Sequence, residues 1–339
     1  MRARRRPDAM LLLTRGTIAC ALVACALCLG TSARVRADGT VFVHTVRPGE
    51  TLASIAQRYY GDPRRESVLV AENGLTTQGG AAIVVGLRLM VPTVSYHRVV
   101  AGETWIGLAE RFYGDARRAV AIMDANSGTP GTQPDAGAEL LIPYPLRHVA
   151  GQHDTVTTIA TLYFATNDKV PLLRRFNNIR GNRLTRGQVV LVPLADLTLS
   201  DEGRGIVGTA TGAQPQGGEV RALQERIEVL LPQLREHVRS GRYTEAVSLA
   251  NRLLGMGELT GNQVVTIQRE LTTAYVALDR EDLAIASAHA ALERQPDFEP
   301  DSIRTSPRVL EAFRRAREQA ASGHPGTTPA PHAPDAGVR

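Results

Sequence analysis

Apolar and polar positions follow two different rhythms between residues 41 and 92. Val41, Val43 and Val46 mark a short strand ahead of a Pro48-Gly49 turn. Leu52, Ile55, Ala56 and Tyr59 then fall at i, i+3, i+4 and i+7, one face of a helix. Thr51 stands where it can cap that helix, and Gly61 where it can end it. Asp62-Pro63 reads as an N-cap followed by a first-turn proline, which opens a second helix running to Asn73. Leu87, Leu89 and Val91 alternate as a closing strand that Pro92 ends. The predicted unit is strand–helix–helix–strand.

The unit recurs. His44 to Pro92, His97 to Pro143 and His148 to Pro193 align, with four residues between neighbours. Glu50-Thr51-Leu52, Glu103-Thr104-Trp105 and Asp154-Thr155-Val156 share one slot. Nine and ten residues after the acid come Tyr59-Tyr60, Phe112-Tyr113 and Tyr163-Phe164, which are assigned to the core. Leu69, Ile122 and Leu173 each precede an asparagine by four residues (Asn73, Asn126, Asn177). Each repeat closes on Gly86, Gly137 or Gly187, with an apolar residue three later and proline six later. A threefold register of this kind marks tandem repeats.

From residue 219 to 318 the pattern is helical throughout. Leu223, Ile227, Leu230, Leu231 and Leu234 form one stripe, with a kink expected at Pro232. Leu271, Tyr275 and Leu278, then Leu283, Ala284, Ala288 and Ala291, predict a helix pair. Residues 199–218 are rich in Gly, Thr, Ala and Gln without a sustained apolar period and read as a linker. Residues 319–339 are rich in Gly, Pro, Ala and Thr and are expected to be disordered. The expected architecture is α+β: a leader over 1–37, three βααβ modules over 38–95, 96–146 and 147–198, the linker, and an all-α domain over 219–318.

Charge sharpens the picture at the N-terminus. The 339-residue chain has 39 basic and 34 acidic residues, a net charge of +5. Residues 1–37 take seven arginines and one acid, Asp8, which leaves 32 basic against 33 acidic. The basic excess therefore belongs to the leader, and no nucleic-acid partner is expected. Arg2, Arg4, Arg5 and Arg6 precede an apolar stretch that resumes after Arg15 and runs from Gly16 to Leu29. Val35-Arg36-Ala37 fits a small-x-Ala cleavage site, so the leader reads as a signal peptide. The stretch is short of the ~20 residues that span a bilayer. These features predict export to the periplasm or cell envelope. All three cysteines (Cys20, Cys25, Cys28) lie in the leader, so a chain cut after Ala37 has no thiol. Leu22-Val23-Ala24-Cys25 also resembles a lipoprotein processing box. Cleavage there would leave Cys25 as a lipidated N-terminus, and membrane contact is expected only through the leader or that lipid.

The three repeats resemble the LysM family of glycan-binding modules, over about 150 of 339 residues. The resemblance implies a βααβ fold that recognises N-acetylglucosamine polymers such as peptidoglycan and chitin, with the sugar in a shallow groove between two loops. In the first repeat it places one wall at Gly49, Glu50, Thr51 and Leu52 and the other at Asn73, Gly74 and Leu75. In the second the walls would be Gly102, Glu103, Thr104, Trp105 and Asn126, Ser127. In the third they would be Asp154, Thr155, Val156 and Asn177, Asn178, Ile179. An N-acetyl group offers an amide donor, a carbonyl acceptor and a methyl. Backbone groups at a glycine turn can approach and pair the amide, and an apolar floor such as Leu52 or Trp105 can take the methyl. Plainer roles are open to the same residues: Thr51 as a helix cap, Glu50 as a favourable charge at a helix N-terminus, Asn73 as a helix C-terminal residue.

The third repeat departs from the pattern. His153 replaces the glycine of the other two, Ala150 replaces valine, and no Gly-Asp follows the aromatic pair. Trp105, in the usual leucine slot, either improves stacking or blocks the groove. The helical segment is weakly similar to tetratricopeptide repeats through Leu271, Tyr275, Ala284, Ala291 and Pro296, which implies a protein partner.

Catalysis is not expected. Thiol chemistry lacks its nucleophile. The eight histidines (His44, His97, His148, His153, His237, His289, His324, His332) show no HxH or HExxH spacing, and no metal or cofactor is expected. The resulting expectation is a non-catalytic peptidoglycan-binding protein of the cell envelope that tethers a helical protein-interaction domain to the wall. Two alternatives stand beside it: an assembly scaffold in which the helices are the working part and the repeats are structural, and an accessory cell-wall hydrolase.

Overall fold

The computed structural model describes residues 41–75, 83–211 and 217–321. The expected signal peptide with Cys25, and the tail from residue 322, lie outside the described residues. Those residues form twelve helices and three two-stranded antiparallel sheets.

Strand β1 (Val41–Thr45) pairs with β2 (Arg88–Pro92), placing His44 opposite Leu89. Between them run α1 (Leu52–Tyr60) and α2 (Glu66–Glu72), the latter entered through a 3-10 turn at Pro63–Arg65. The second unit repeats this plan with β3 (Ser95–Arg98), α3 (Trp105–Tyr113), α4 (Ala119–Ala125) and β4 (Glu139–Ile142), and His97 faces Leu140. The third has β5 (Tyr144–Val149), α5 (Val156–Phe164), α6 (Val170–Asn177) and β6 (Val189–Leu194), with His148 opposite Val190.

Local chemistry explains each boundary. The hydroxyls of Thr51, Thr104 and Thr155 accept from the backbone N–H three residues on, at 3.1, 3.0 and 3.0 Å. Each thus satisfies one orphan donor at a helix start. Gly61 and Gly114 end the first helix with positive φ. The third unit has no glycine there, and Ala165 takes φ 56° instead, a conformation that costs an L-residue energy. Leu52, Ile55, Ala56 and Tyr59 are all buried, as their spacing predicts. The second member of the aromatic pair ties helix to strand: the hydroxyls of Tyr60 and Tyr113 donate to the carbonyl oxygens of Pro92 and Pro143, at 2.7 and 2.8 Å.

The units share cores rather than hanging as beads. Phe176 of α6 is buried among second-unit residues and meets the Tyr113 ring edge-on at 5.3 Å. The Arg118 guanidinium lies 5.4 Å from the centre of the Phe176 ring. Val68 of α2 is buried in the third unit's core, and Arg65 donates to the Tyr163 carbonyl at 2.8 Å.

Residues 199–218 are not simply a linker. They contain α7 (Asp201–Thr211), which docks on the first unit. Leu199 and Val207 join that unit's core, and the Ser200 N–H donates to the Tyr59 carbonyl at 2.8 Å. Gly203, Gly205 and Gly208 depress helix propensity, so the helix depends on tertiary contact that periodicity does not reveal.

Five helices follow: α8 (Glu219–Arg239), α9 (Tyr243–Gly255), α10 (Gly261–Ala277), α11 (Glu281–Arg294) and α12 (Pro307–Ala321). Helix α8 runs through Pro232. Ile227, Leu231 and Leu234 from its stripe are buried against α9 and α10. Ala284, Ala288 and Ala291 pack with Val309 and Phe313 of α12 in a second core. Helix α12 extends three residues into the segment expected to be disordered.

Candidate glycan-binding site

The first expected wall is the turn between strand and first helix. Gly49 and Gly102 adopt φ 81° and 88°, which glycine tolerates without a Cβ penalty. His153 is not among the positive-φ residues, so the third unit builds this turn differently. Thr51 and Thr104 are exposed, while Leu52, Trp105 and Val156 are buried at 7, 7 and 0 % exposure.

The acid in this wall is engaged in every unit. Glu50 Oε2 lies 2.8 Å from His44 Nε2 and accepts the Arg47 N–H at 2.8 Å. Its other oxygen pairs with the Arg58 guanidinium. Glu103 repeats this with His97 at 2.6 Å, the Val100 N–H at 2.8 Å and Arg111 at 3.2 Å. Asp154 has His148 at 3.1 Å and the Gly151 N–H at 2.7 Å. Burial pushes all three carboxyls up, yet the hydrogen bonds to histidine and backbone win. Glu103 and Asp154 sit below their ordinary range, and Glu50 is held at about 2. A carboxylate can only accept, so Nε2 of each histidine carries the proton. In the first and third units Nδ1 faces a tyrosine hydroxyl, Tyr59 at 3.2 Å and Tyr163 at 2.9 Å. Phe112 takes that place in the second unit and meets His97 edge-on. In the sequence these histidines mark only the start of each repeat and show no metal-ligand spacing. The signal that could have paired them is the constant spacing of six from histidine to acid.

The second expected wall is a helix stop. Gly74, Ser127 and Asn178 take positive φ, and the next residue bonds back five positions in each unit: Leu75 to Val70 (2.9 Å), Gly128 to Met123 (2.8 Å), Ile179 to Arg174 (2.9 Å). These bonds satisfy carbonyls at the helix C-terminus. The preceding asparagine clamps helix to strand. Asn177 donates to the Leu173 and Leu191 carbonyls at 2.9 and 2.8 Å and accepts the Leu191 N–H at 2.8 Å. Asn73 does the same with Leu69 and Met90. Asn126 does so with Ile122 and Leu141. Both amide donors are spent, so Asn73 and Asn177 have one oxygen lone pair to offer a ligand.

The two walls meet in the third unit. Thr155 bridges Arg183, and Asn182 accepts the Val156 N–H at 3.0 Å through its carbonyl oxygen. Its side-chain oxygen accepts from the Thr157 N–H at 3.0 Å. In the second unit the Trp105 indole N–H donates to the Thr132 carbonyl at 2.9 Å. The indole packs on Gly128, where a Cβ would fall 3.0 Å from the ring. In the first unit, residues 76–82 of the wall lie outside the described residues.

Two Mycobacterium tuberculosis proteins, Esterase MT1326 (strain CDC 1551 / Oshkosh) and Esterase Rv1288 (strain ATCC 25618 / H37Rv), are each 31% identical to the chain over 153 residues. The shared stretch is 45% of this chain and 33% of theirs, so the chain spans about a third of the length of the curated relatives it matches. This likeness overturns the expectation that the chain is no enzyme, because both relatives are named for an enzymatic activity. The family model that matches is the LysM domain, at residues 44–92 and 148–193, so the first and third repeats are LysM domains.

Proposed function

We propose that this protein binds the N-acetylglucosamine glycan of peptidoglycan and holds its helical domain at the cell wall. The match of both outer repeats to the LysM domain carries this reading, and each repeat folds as the strand–helix–helix–strand unit that such a domain requires. The chemistry fits a neutral sugar. The wall acids are already engaged by histidine and backbone N–H groups, with an arginine beside Glu50 and Glu103, which leaves backbone groups, the threonines and the asparagine oxygens for an N-acetyl group. Each groove is small, and affinity for a repetitive polymer gains from linking two of them. The protein acts outside the cytoplasm, the usual setting for such domains. Among the described residues no helix is long and apolar enough to cross a membrane. The test is sedimentation of the full chain with insoluble sacculi, with and without soluble N-acetylglucosamine oligomers. Co-sedimentation that the oligomers compete away supports the reading, and pelleting no greater than a non-binding control removes it.

Ester hydrolysis is a second reading, favoured by the identity to the two mycobacterial esterases. It requires a nucleophile activated by a neighbouring base. Turnover of a chromogenic short-chain ester by the purified chain, above a heat-denatured control, decides it. The helical domain supports a third, compatible role as the surface that a protein partner meets. Deleting residues 219–339 while following wall binding and co-purifying proteins separates that role from the first.

A further inference from the structure

The three repeats are not equivalent, and the middle one differs from the other two where it faces the helical domain. Trp105 occupies the position of Leu52 and Val156. It is 7 % exposed, its N–H is spent on Thr132, and its Cζ2 edge lies against Gly128. The indole is thereby closed against the loop that carries Gly128 and Thr132.

The same unit carries an acid pair that the others lack. Glu139 stands where they have Arg88 and Val189, and Asp135 where they have Val84 and Thr185. Both acids reach the helical domain. Glu139 Oε2 accepts from the N–H groups of Gly218 at 2.8 Å and Arg221 at 3.0 Å, at the start of α8. Asp135 accepts the Asn262 N–H at 3.0 Å, and the Ala136 carbonyl accepts the Gly261 N–H at 3.1 Å, at the start of α10. Two helix N-termini, each with unpaired donors and a positive dipole end, thus receive a carboxylate from the middle unit.

Buried polar contacts complete the joint. Gln224, 6 % exposed, donates to the carbonyls of Gly137 (2.9 Å) and Glu258 (2.8 Å) and accepts the Glu139 N–H at 3.0 Å. Arg221 reaches Asn126 and takes the oxygen that the other units leave available. The Tyr96 ring lies against Gly217 and Gly218, too close for a side chain at either.

We infer that the middle unit is a docking platform for the helical domain and makes no contact with glycan, which is bound by the first and third units alone. The inference rests on the glycan reading above. At the equivalent positions Arg88 and Val189 offer a helix N-terminus no acceptor, so neither outer unit can hold the helices in this way.

Trp105 is the one tryptophan of the chain, so its emission reports on the middle unit alone. The full chain is titrated with the N-acetylglucosamine pentamer while binding heat and tryptophan emission are followed together. The expected result is saturable heat with no change in emission maximum or acrylamide quenching. Saturable heat accompanied by a matching emission change overturns the inference while leaving the glycan reading intact. No heat at any concentration overturns the glycan reading and the inference with it. In parallel, the Glu139→Ala, Gln224→Ala double variant is expected to speed proteolytic separation of the helical domain by about tenfold or more. Its sugar affinity should stay within about twofold of the parent. A helical domain as resistant as the parent's overturns the docking claim.

Discussion

Nε2 of His44 lies 2.8 Å from Oε2 of Glu50, and the equivalent pair joins His97 to Glu103 and His148 to Asp154. The contact ties the opening strand of each unit to the turn that launches its first helix. The acid is thereby a fastening of the fold, whatever it offers to a sugar.

Glu50 gives this fastening a pH signature. Its folded value of about 2 lies below the ordinary 4.5. A depressed carboxyl contributes stability above its unfolded value and loses it as pH falls through the folded one. The contribution is thus expected in full above about pH 4.5 and to vanish near pH 2. Glu50→Gln should cost about 2 kcal/mol at neutral pH. Thermal unfolding of parent and variant across this range should show the gap closing on acidification.

Asn177→Ala removes two hydrogen bonds between α6 and β6 and one within α6, and leaves their backbone partners unpaired. A loss of roughly 2–3 kcal/mol is expected, read from the urea midpoint. If the asparagine served the ligand alone, the midpoint would stay where it was.

Gly203 and Gly205 share helix α7 and should respond in opposite directions. An added Cβ at Gly203 would fall 2.8 Å from the Tyr59 carbonyl oxygen, while at Gly205 it meets open space. Gly205→Ala is expected to stabilise by about 0.5–1 kcal/mol through helix propensity. Gly203→Ala should destabilise despite the same gain, which hydrogen exchange across α7 will register.

Phe176→Ala tests whether the second and third units share a core. The ring belongs to the third unit's α6 but packs with Tyr113 and Arg118 of the second. The expected cost is about 3–5 kcal/mol. It should be accompanied by greater acrylamide access to Trp105, although the substitution lies in a different repeat.

The elements of each unit were legible because local rules decide them. Thr51 caps, Gly61 stops, and Leu52, Ile55, Ala56 and Tyr59 are buried, all from spacing and residue type. Helix α7 was not, because three glycines hide it and contact with Arg58, Tyr59 and the first unit's core holds it. Of the expected wall residues, the structure brings both loops of the third unit together. It also assigns the asparagines a clamping role that was weighed only as a helix end. The bond from the Trp105 N–H to Thr132, 27 residues away, leaves no trace in spacing. The link to enzymes came from neither pattern nor spacing but from whole-segment likeness, because an activity named in relatives leaves no periodicity to read.

The place of Phe176 in another repeat's core also bears on how such a chain could arise. The repeat in the sequence is not a self-contained packing unit. A gene that lost its third copy would leave a hole beside Tyr113, and one that lost its second would leave an aromatic ring in water. Copies of this segment could therefore be gained or lost only together with new residues at the seams, so three is a number that the contacts themselves hold in place.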